Sequence, residues 1–159
     1  MRNALASSFG LNRFSVVADP LLSPAAGPGA SPSASPGPKG RLLLIDDEPM
    51  IGNLIQRSLQ KSWDVTWLAS GVDALECVKK DAFDVIVCDL MMPVMDGMQF
   101  AAELAELNPA LRARTMFLTG GAINDASEQF LARPDVCYLS KPFSMRDFDA
   151  ALRKIVGSE

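Results

Sequence analysis

Histidine is absent from this 159-residue chain, and its absence excludes several kinds of chemistry. A Ser-His-Asp or Cys-His nucleophile needs an imidazole base, and many zinc sites use histidine nitrogen as a ligand. The chain also cannot carry a phosphohistidine of its own. Any reaction that involves a histidine therefore requires a second protein to supply it.

Cysteine is scarce, and long hydrophobic runs are missing. The three cysteines, Cys77, Cys88 and Cys137, are widely spaced without a C-x-x-C pair, which argues against a disulfide framework or structural zinc site and favours small reduced hydrophobes. Apolar runs stay well short of the about 18 residues that a membrane-spanning helix needs, and the N-terminal segment lacks the features of a secretory signal. We therefore expect a cytoplasmic protein without membrane insertion.

The chain has no excess of basic residues. Its 15 lysines and arginines stand against 19 aspartates and glutamates, for a net charge of −4, whereas binding to nucleic acid phosphates needs clustered positive charge. Direct nucleic acid binding is therefore not expected. The length, with 48% apolar residues, suffices for one soluble domain with an added tail.

The composition changes abruptly near residue 40. Residues 24–40 are proline, glycine, serine or alanine apart from Lys39, so they offer no large apolar side chain whose burial could offset the entropy of ordering. The recurrent prolines also remove backbone donors. We predict a disordered tail and flexible linker over residues 1–40, a folded domain over residues 41–156 and a short C-terminal tail over residues 157–159.

Short apolar runs alternate with amphipathic segments after residue 40. The first run, residues 42–45, is continuously aliphatic, as expected of a strand covered on both faces. Five such strands alternating with five helices are typical of a doubly wound, flavodoxin-like α/β fold with a five-stranded parallel sheet. The predicted strands are 41–46, 64–68, 84–89, 114–119 and 136–140, and the predicted helices are 49–61, 71–80, 98–108, 124–131 and 145–156.

Polar residues lie where several of these strands end. Parallel strands bring their carboxyl ends to one edge of the sheet, and open α/β folds bind their ligands there. We therefore predict a single polar site that combines carboxylates, a hydroxyl and an ammonium group. The residues at these strand ends are Asp46, Asp47, Glu48, Asp89, Thr119 and Lys141.

Such a set of side chains suits a particular chemistry. Neighbouring carboxylates raise one another's pKa unless a cation lies among them, and oxygen ligands without histidine or cysteine select a hard ion such as Mg²⁺. Lys141 adds a positive charge and Thr119 a hydroxyl donor, which suit the stabilisation of a transferring phosphoryl group. One carboxylate would then be the nucleophile, since aspartyl phosphate is an established covalent form.

The sequence around these residues resembles the response-regulator receiver domains of two-component signalling. The resemblance covers residues 41–156 and rests on four segments in the same order, each at a predicted strand end. It implies the receiver version of the flavodoxin-like fold and a phosphoacceptor in a phosphorelay, not an enzyme with a separate substrate. The segments are LLIDDEP at 43–49, DVIVCDLMMP at 84–93 followed by MDG at 95–97, FLTG at 117–120 and YLSKPF at 138–143.

The resemblance assigns the phosphoryl and metal groups. Asp89 would accept the phosphoryl group from a phosphohistidine on a histidine kinase or a histidine phosphotransfer protein. Asp47, Asp89 and the backbone carbonyl of Met91 would bind Mg²⁺ directly. Asp46 would act on the metal mainly through bound water.

The resemblance also implies a conformational switch. Lys141, joined to Pro142 by a cis peptide, would contact the phosphoryl oxygens. Thr119 would turn inward to hydrogen-bond the phosphoryl group, and Tyr138 would follow from an outward to an inward rotamer. The difference in contacts between the two states would drive the change.

Two positions depart from side chains that assist hydrolysis in this family. The residues two beyond the acceptor Asp and two beyond the switch Thr influence how well water attacks the acyl phosphate. Here these residues are Met91 and Gly121, and neither can orient a water molecule. We therefore expect slow self-dephosphorylation.

Three other functions compete with this one. A haloacid-dehalogenase-type phosphatase would need a second Asp two residues after the nucleophile, where this chain has Met91. A pseudo-receiver would act as an interaction module without phosphorylation, although the residues for the chemistry are present. A DNA-binding regulator would need an output domain, which we do not expect in residues 1–40 or in residues 157–159.

Output would therefore pass through a downstream protein partner. The resemblance implies docking through residues 50–54 at the start of the first helix and through residues 143–146 after the fifth strand. A proline-rich linker ahead of a receiver also resembles the arrangement in hybrid histidine kinases. The chain could thus be a free-standing regulator or a detached hybrid receiver.

Overall fold

The computed structural model of the protein describes residues 40–121 and 124–157. This part of the chain forms a five-stranded, fully parallel sheet in the order β2-β1-β3-β4-β5. The order confirms the predicted flavodoxin-like fold, and each predicted strand is present to within one residue at either end. The strands are β1 Arg41–Ile45, β2 Asp64–Leu68, β3 Val85–Asp89, β4 Thr115–Thr119 and β5 Cys137–Ser140.

The described residues contain one helix more than the sequence pattern predicted. The extra helix, α4, has four residues and begins at Pro109. Asn108 caps it, because its side chain accepts a hydrogen bond from Leu111 N at 3.0 Å. A single turn is too short to show a helical period in the sequence. The helices are α1 Pro49–Leu59, α2 Gly71–Val78, α3 Gly97–Leu107, α4 Pro109–Arg112, α5 Asp125–Leu131 and α6 Met145–Val156.

The apolar core lies on both faces of the sheet. Successive strand residues point to opposite faces, so Leu43 and Ile45 pack with α2 and α3, while Leu42 and Leu44 pack with α1 and α6. All four leucine and isoleucine side chains are fully buried. The two covered faces account for the continuous aliphatic run of β1, which ends directly before Asp46.

Helix α3 begins in close contact with the end of β3. Asp96 caps the helix by accepting hydrogen bonds from Met98 N at 2.8 Å and Gln99 N at 2.9 Å. A Cβ atom at Gly97 would lie 2.7 Å from the carbonyl oxygen of Asp89, so glycine is required for this approach. Asp96 therefore fixes the start of α3, and the contact at Gly97 holds the backbone of Asp89 in place.

The tail and linker are predicted over residues 1–40, of which the structure describes only Gly40, and the predicted C-terminal tail includes residues 158 and 159. Apart from Gly40, these residues lie outside the described part of the chain, so the division near residue 40 stays a prediction. Across the described ranges, the helices are too short or too polar to cross a membrane. The three cysteines all lie in these ranges and are unpaired.

Candidate functional site

The carboxyl ends of β1 and β3 bring three aspartates together. Carboxylate oxygens of Asp46, Asp47 and Asp89 all lie within 4.8 Å of one another. Asp46 and Asp89 are buried, with 0% and 5% of their surface exposed. The structure thus assembles the acidic cluster that the strand ends predict, between the two strands where the strand order reverses.

Backbone hydrogen bonds shape the turn that carries two of these aspartates. Asp46 N donates to Leu68 O at 3.1 Å, which continues the pairing of β1 with β2 by one residue. Glu48 N donates to the Asp46 carboxylate at 2.9 Å, and the indole Nε1 of Trp67 donates to Asp46 O at 2.9 Å. Hydrogen bonds therefore hold the N–H, the carbonyl and the carboxylate of Asp46 before α1 begins at Pro49.

Lys141 lies among the carboxylates, as expected. Its Nζ atom is 3.1 Å from Asp46 Oδ2, 2.9 Å from Glu48 Oε1 and 3.0 Å from Asp89 Oδ1. The backbone joins the same network, because Lys141 N donates to Thr119 O. The peptide to Pro142 is cis, as the resemblance implied.

Glu48 is the site residue whose role the sequence analysis missed. The sequence pattern predicts that Glu48 lies at the end of β1 beside two aspartates, but it indicates no function for this residue. Its contact with Lys141 depends on where the fifth strand of the sheet delivers the lysine side chain. The sequence therefore shows that Glu48 directly follows the aspartate pair, but it does not indicate that Lys141 is its partner.

Burial opposes the charged forms of this cluster. Desolvation raises the pKa of Asp46 and of Asp89 above the ordinary range, although hydrogen bonds from the Lys141 ammonium act in the opposite direction. Burial also disfavours the ammonium of Lys141, but its hydrogen bonds with Glu48, Asp89 and Asp46 outweigh that effect and raise its pKa. The carboxylates therefore have a surplus of negative charge that a further cation would relieve.

The donor set of the cluster fits a magnesium ion. Three aspartates offer oxygen ligands within reach of one another, and oxygen is the ligand type that Mg²⁺ prefers. The residues that could hold the ion are Asp46, Asp47 and Asp89. The backbone carbonyl of Met91 stays a predicted fourth ligand.

Thr119 presents an unused hydroxyl at the same edge of the sheet. Its Oγ1 atom is buried, and within residues 40–121 and 124–157 it has no hydrogen-bond partner. Leaving such a group unpaired costs about 1 to 3 kcal/mol, so the position favours an additional acceptor that the described residues do not provide. Tyr138, one strand away on β5, is 47% exposed, and its change of rotamer stays a prediction.

The fold and the site together define a class of protein. It is an open α/β domain with a buried aspartate at a strand end, flanked by a lysine, a free hydroxyl and further carboxylates. The model of the response regulator receiver domain matches residues 42–153. The chain therefore belongs to the receiver domain family of response regulators, as the sequence motifs implied.

Characterised relatives support this membership. The chain is 32% identical over 117 residues to the response regulator receiver protein CpdR of Brucella abortus, covering 73% of this chain and 96% of CpdR. It is 33% identical over 118 residues to the transcriptional regulatory protein TrcR of Mycobacterium tuberculosis, covering 73% of this chain but 45% of TrcR. The chain thus spans nearly all of one relative and less than half of the other.

Solved structures show the same fold. The receiver domain of the sensor histidine kinase PA1611 from Pseudomonas aeruginosa has a TM-score of 0.60 and 26% sequence identity, covering 75% of this chain and 98% of that domain. That structure contains a magnesium ion coordinated in the active site cleft. Receiver domains of this family are signalling modules of two-component systems, and phosphorylation on an aspartate is a general property of the family.

Proposed function

We propose that Asp89 is the phosphoacceptor of this receiver domain and takes a phosphoryl group from a phosphohistidine on a partner. The observation that carries the proposal is the pairing of a buried Asp89 with Lys141 Nζ at 3.0 Å, next to the unpaired Thr119 hydroxyl. The partner is a histidine kinase or a histidine phosphotransfer protein. These 159 residues contain no histidine, so the phosphohistidine must lie outside this sequence.

The side chains of the site divide the transfer between them. A carboxylate oxygen of Asp89 forms a bond to phosphorus while the P–N bond of the phosphohistidine breaks, and the imidazole leaves with the electron pair. Lys141 exchanges contacts with carboxylates for contacts with the phosphoryl oxygens, and Thr119 donates its free hydroxyl to them. A bound Mg²⁺, held by Asp46, Asp47, Asp89 and the Met91 carbonyl, would neutralise negative charge on carboxylates and phosphoryl group alike.

Phosphorylation would shift a two-state equilibrium. The phosphoryl group offers Thr119 an acceptor that it lacks in the described structure, so the state with Thr119 turned inward becomes favoured. Tyr138, exposed on β5, would then move into the space that Thr119 leaves. The changed surface around these two residues would carry the signal to a downstream protein.

The donor would dock beside the acceptor aspartate. Met50 and Leu54 on α1 are 84% and 47% exposed, and Met91 beside the site is 46% exposed. Exposed apolar side chains next to a reactive group are suited to a transient protein contact. We assign donor docking to residues 50–54 and 143–146, with output by protein contact in the cytoplasm and without direct nucleic acid binding.

Small-molecule phosphorylation tests the proposal. The full chain, Asp89→Asn and Asp84→Asn would each be incubated with acetyl phosphate and Mg²⁺ and examined by intact-mass analysis. Asp84 is the matched control, since it opens the same strand and accepts a hydrogen bond from Arg41 N at the far end of the sheet. We expect one Mg²⁺-dependent phosphate adduct in the wild type and in Asp84→Asn, and none in Asp89→Asn.

The alternative function makes the opposite prediction. An unphosphorylated pseudo-receiver would give no adduct and would bind no Mg²⁺ although folded. An adduct that persists in Asp89→Asn would place the phosphoryl group elsewhere and contradict the assignment of Asp89.

A further inference from the structure

Trp67 makes an unusual contact with the acidic turn. The side chain belongs to β2, yet its indole Nε1 donates a hydrogen bond of 2.9 Å to the backbone carbonyl of Asp46. The indole lies half-buried among the apolar residues that α1 covers. This contact links the second strand of the sheet directly to the loop that presents the carboxylates.

A glycine on α1 makes room for this indole. A Cβ atom at Gly52 would lie 2.7 Å from Trp67 Cδ2 and 2.8 Å from Cζ2, closer than side-chain carbons approach one another. Gly52 is buried at the fourth position of the helix, and glycine is normally unfavourable inside a helix. Its presence is explained by the flat ring that packs against the helix backbone.

The indole acts where backbone pairing between β1 and β2 comes to an end. Asp46 N still donates to Leu68 O at 3.1 Å, but Ser70 already caps α2, so the second strand has left the sheet. Where the backbone pairing ends, the indole N–H of Trp67 donates a hydrogen bond to the Asp46 carbonyl. The peptide that joins Asp46 to Asp47 is thereby held to β2 by its carbonyl oxygen.

We infer that Trp67 is a positioning residue for the magnesium site. It acts through the Asp46–Asp47 peptide and holds the Asp47 carboxylate close to Asp46 and Asp89, whose like charges would otherwise drive the three apart. Because Mg²⁺ demands nearly ideal octahedral geometry, a small rotation of this peptide weakens the site. The inference rests on the proposed function, since it requires that these carboxylates bind the metal.

Direct titration with Mg²⁺ tests the role of the indole. The full chain, Trp67→Phe and Trp63→Phe would be titrated with Mg²⁺ by calorimetry, without phosphodonor, and their thermal unfolding would be measured without metal. Trp67→Phe keeps an aromatic ring but removes the N–H donor. Trp63→Phe is the matched control, because Trp63 lies in the same apolar cluster near Gly40, at the other end of β2.

We expect Trp67→Phe to raise the Kd for Mg²⁺ about tenfold, as loss of a group that orients a metal ligand commonly does. Trp63→Phe is expected to keep the wild-type Kd for Mg²⁺, even if its thermal midpoint falls as far as that of Trp67→Phe. A purely structural effect of losing an indole would weaken metal binding in proportion to stability in both variants.

Gly52→Ala provides a second, independent variant. The added methyl group must displace the indole, whereas alanine itself favours a helix more than glycine does. We expect weaker Mg²⁺ binding in Gly52→Ala than in the wild type. The double variant Gly52→Ala/Trp67→Leu should bind Mg²⁺ no more weakly than Trp67→Leu alone. Wild-type Mg²⁺ affinity in Trp67→Phe would overturn the inference and leave the proposed function standing, whereas a wild type that neither binds Mg²⁺ nor accepts phosphate would overturn both.

Discussion

Lys141 is the residue that balances charge in the site. Its ammonium contacts Asp46, Glu48 and Asp89 at 2.9 to 3.1 Å, with the side chain only 15% exposed. One positive charge for three carboxylates leaves the cluster negative, and the pKa values of the two buried aspartates are raised by their burial. The lysine and a metal ion therefore share the task of neutralising these carboxylates.

This sharing predicts how Lys141→Met behaves. Without metal, the variant should lose about 2 kcal/mol or more of its free energy of unfolding, because carboxylates are left without their partner. With saturating Mg²⁺, the difference from wild type should shrink, since the ion supplies the missing charge. Urea unfolding with and without Mg²⁺ measures both differences.

Lys154→Met serves as the control for Lys141→Met. Lys154 is exposed on α6, so its removal should change stability little under either condition. An equal loss of stability in Lys141→Met with and without Mg²⁺ would show that lysine and metal do not compensate for each other.

Met91 is expected to influence how water reaches an acyl phosphate on Asp89. Its backbone N–H donates to Asp89 Oδ2 at 3.2 Å, and its side chain is 46% exposed beside the acceptor. Met91→Asn would place an amide there that can orient a water molecule, and we expect dephosphorylation about tenfold faster. The decay of the Asp89 adduct by intact mass is the measurement, with Met91→Leu expected to stay slow.

The structure also decides which companion substitution is suitable. Gly121 has φ +80°, a backbone conformation in which glutamate is strained and asparagine is better tolerated. Gly121→Asn is therefore the substitution to combine with Met91→Asn. An unchanged decay rate in both variants would mean that these positions do not control hydrolysis in this chain.

At the scale of elements, the loop between β3 and α3 carries local strain. Val94 has φ +72° and is 93% exposed, although a β-branched residue is poorly suited to the left-handed region. Its side chain gains little from packing, so the backbone is held there by its neighbours. Those neighbours include the cap at Asp96 and the tight contact of Gly97 with Asp89.

Relief of this strain should stabilise the protein. Val94→Asn is expected to raise the free energy of unfolding by about 1 kcal/mol, measured by urea unfolding. Val72→Asn is the control, since Val72 is 44% exposed within the ordinary helix α2, and it should give no gain. A Val94→Asn variant less stable than wild type would mean that the valine makes favourable contacts that outweigh its backbone strain.

Helix α4 is fixed by a buried arginine. The Arg112 guanidinium carbon lies 5.4 Å from the centre of the Phe117 ring and 5.8 Å from that of Phe130, and Nη2 is 3.5 Å from Asp135 Oδ2. Phe117 and Phe130 also pack edge to face, with ring centres 5.1 Å apart. The arginine therefore joins α4, β4 and α5 on one face of the sheet.

Arg112→Lys should weaken this junction. Lysine keeps the charge but lacks the planar guanidinium that packs on aromatic rings and reaches a carboxylate, so we expect a loss of about 1 kcal/mol in the free energy of unfolding. Arg114→Lys is the control, because Arg114 is exposed two residues later. Equal effects of the two substitutions in urea unfolding would show that the stacked arrangement contributes nothing.

At the scale of the whole molecule, the sequence predicted what depends on strand order. Asp46 and Asp89 each end or follow a buried apolar strand, and Lys141 follows the half-exposed edge strand β5, so a parallel sheet brings all three to one edge. The contacts of Glu48 and Trp67 could not be predicted, because each depends on a side chain crossing to a different element. Such contacts follow from tertiary packing, which periodicity in a single sequence does not record.

The positive φ of Val94 was equally hidden, for a different reason. Valine is among the residues least suited to a positive φ, so a valine at this position argues against that conformation. The conformation occurs in a loop whose ends are held together, because Asp96 caps α3 and Gly97 N donates to Leu90 O at 2.9 Å. Sequence reasoning therefore succeeds where local preference and fold agree and fails where the fold overrides the residue.

Metal binding should be visible as a change in the stability of the entire domain. The three carboxylates come from two strands that are distant in sequence, so the unfolded chain cannot assemble the site and Mg²⁺ stabilises the folded state alone. At a concentration one hundred times its Kd, the ion should add about 2.7 kcal/mol to the free energy of unfolding. Thermal unfolding across a series of Mg²⁺ concentrations measures this increase.

Asp47→Asn distinguishes site binding from a general salt effect. Removal of this carboxylate should abolish most of the Mg²⁺-dependent increase, because the cluster loses one of its three acidic ligands. Asp73→Asn removes the same charge from the exposed first turn of α2 and should keep the full increase. If both variants responded to Mg²⁺ like wild type, the ion would be stabilising the protein by screening its net negative charge, and the acidic cluster would not be its site.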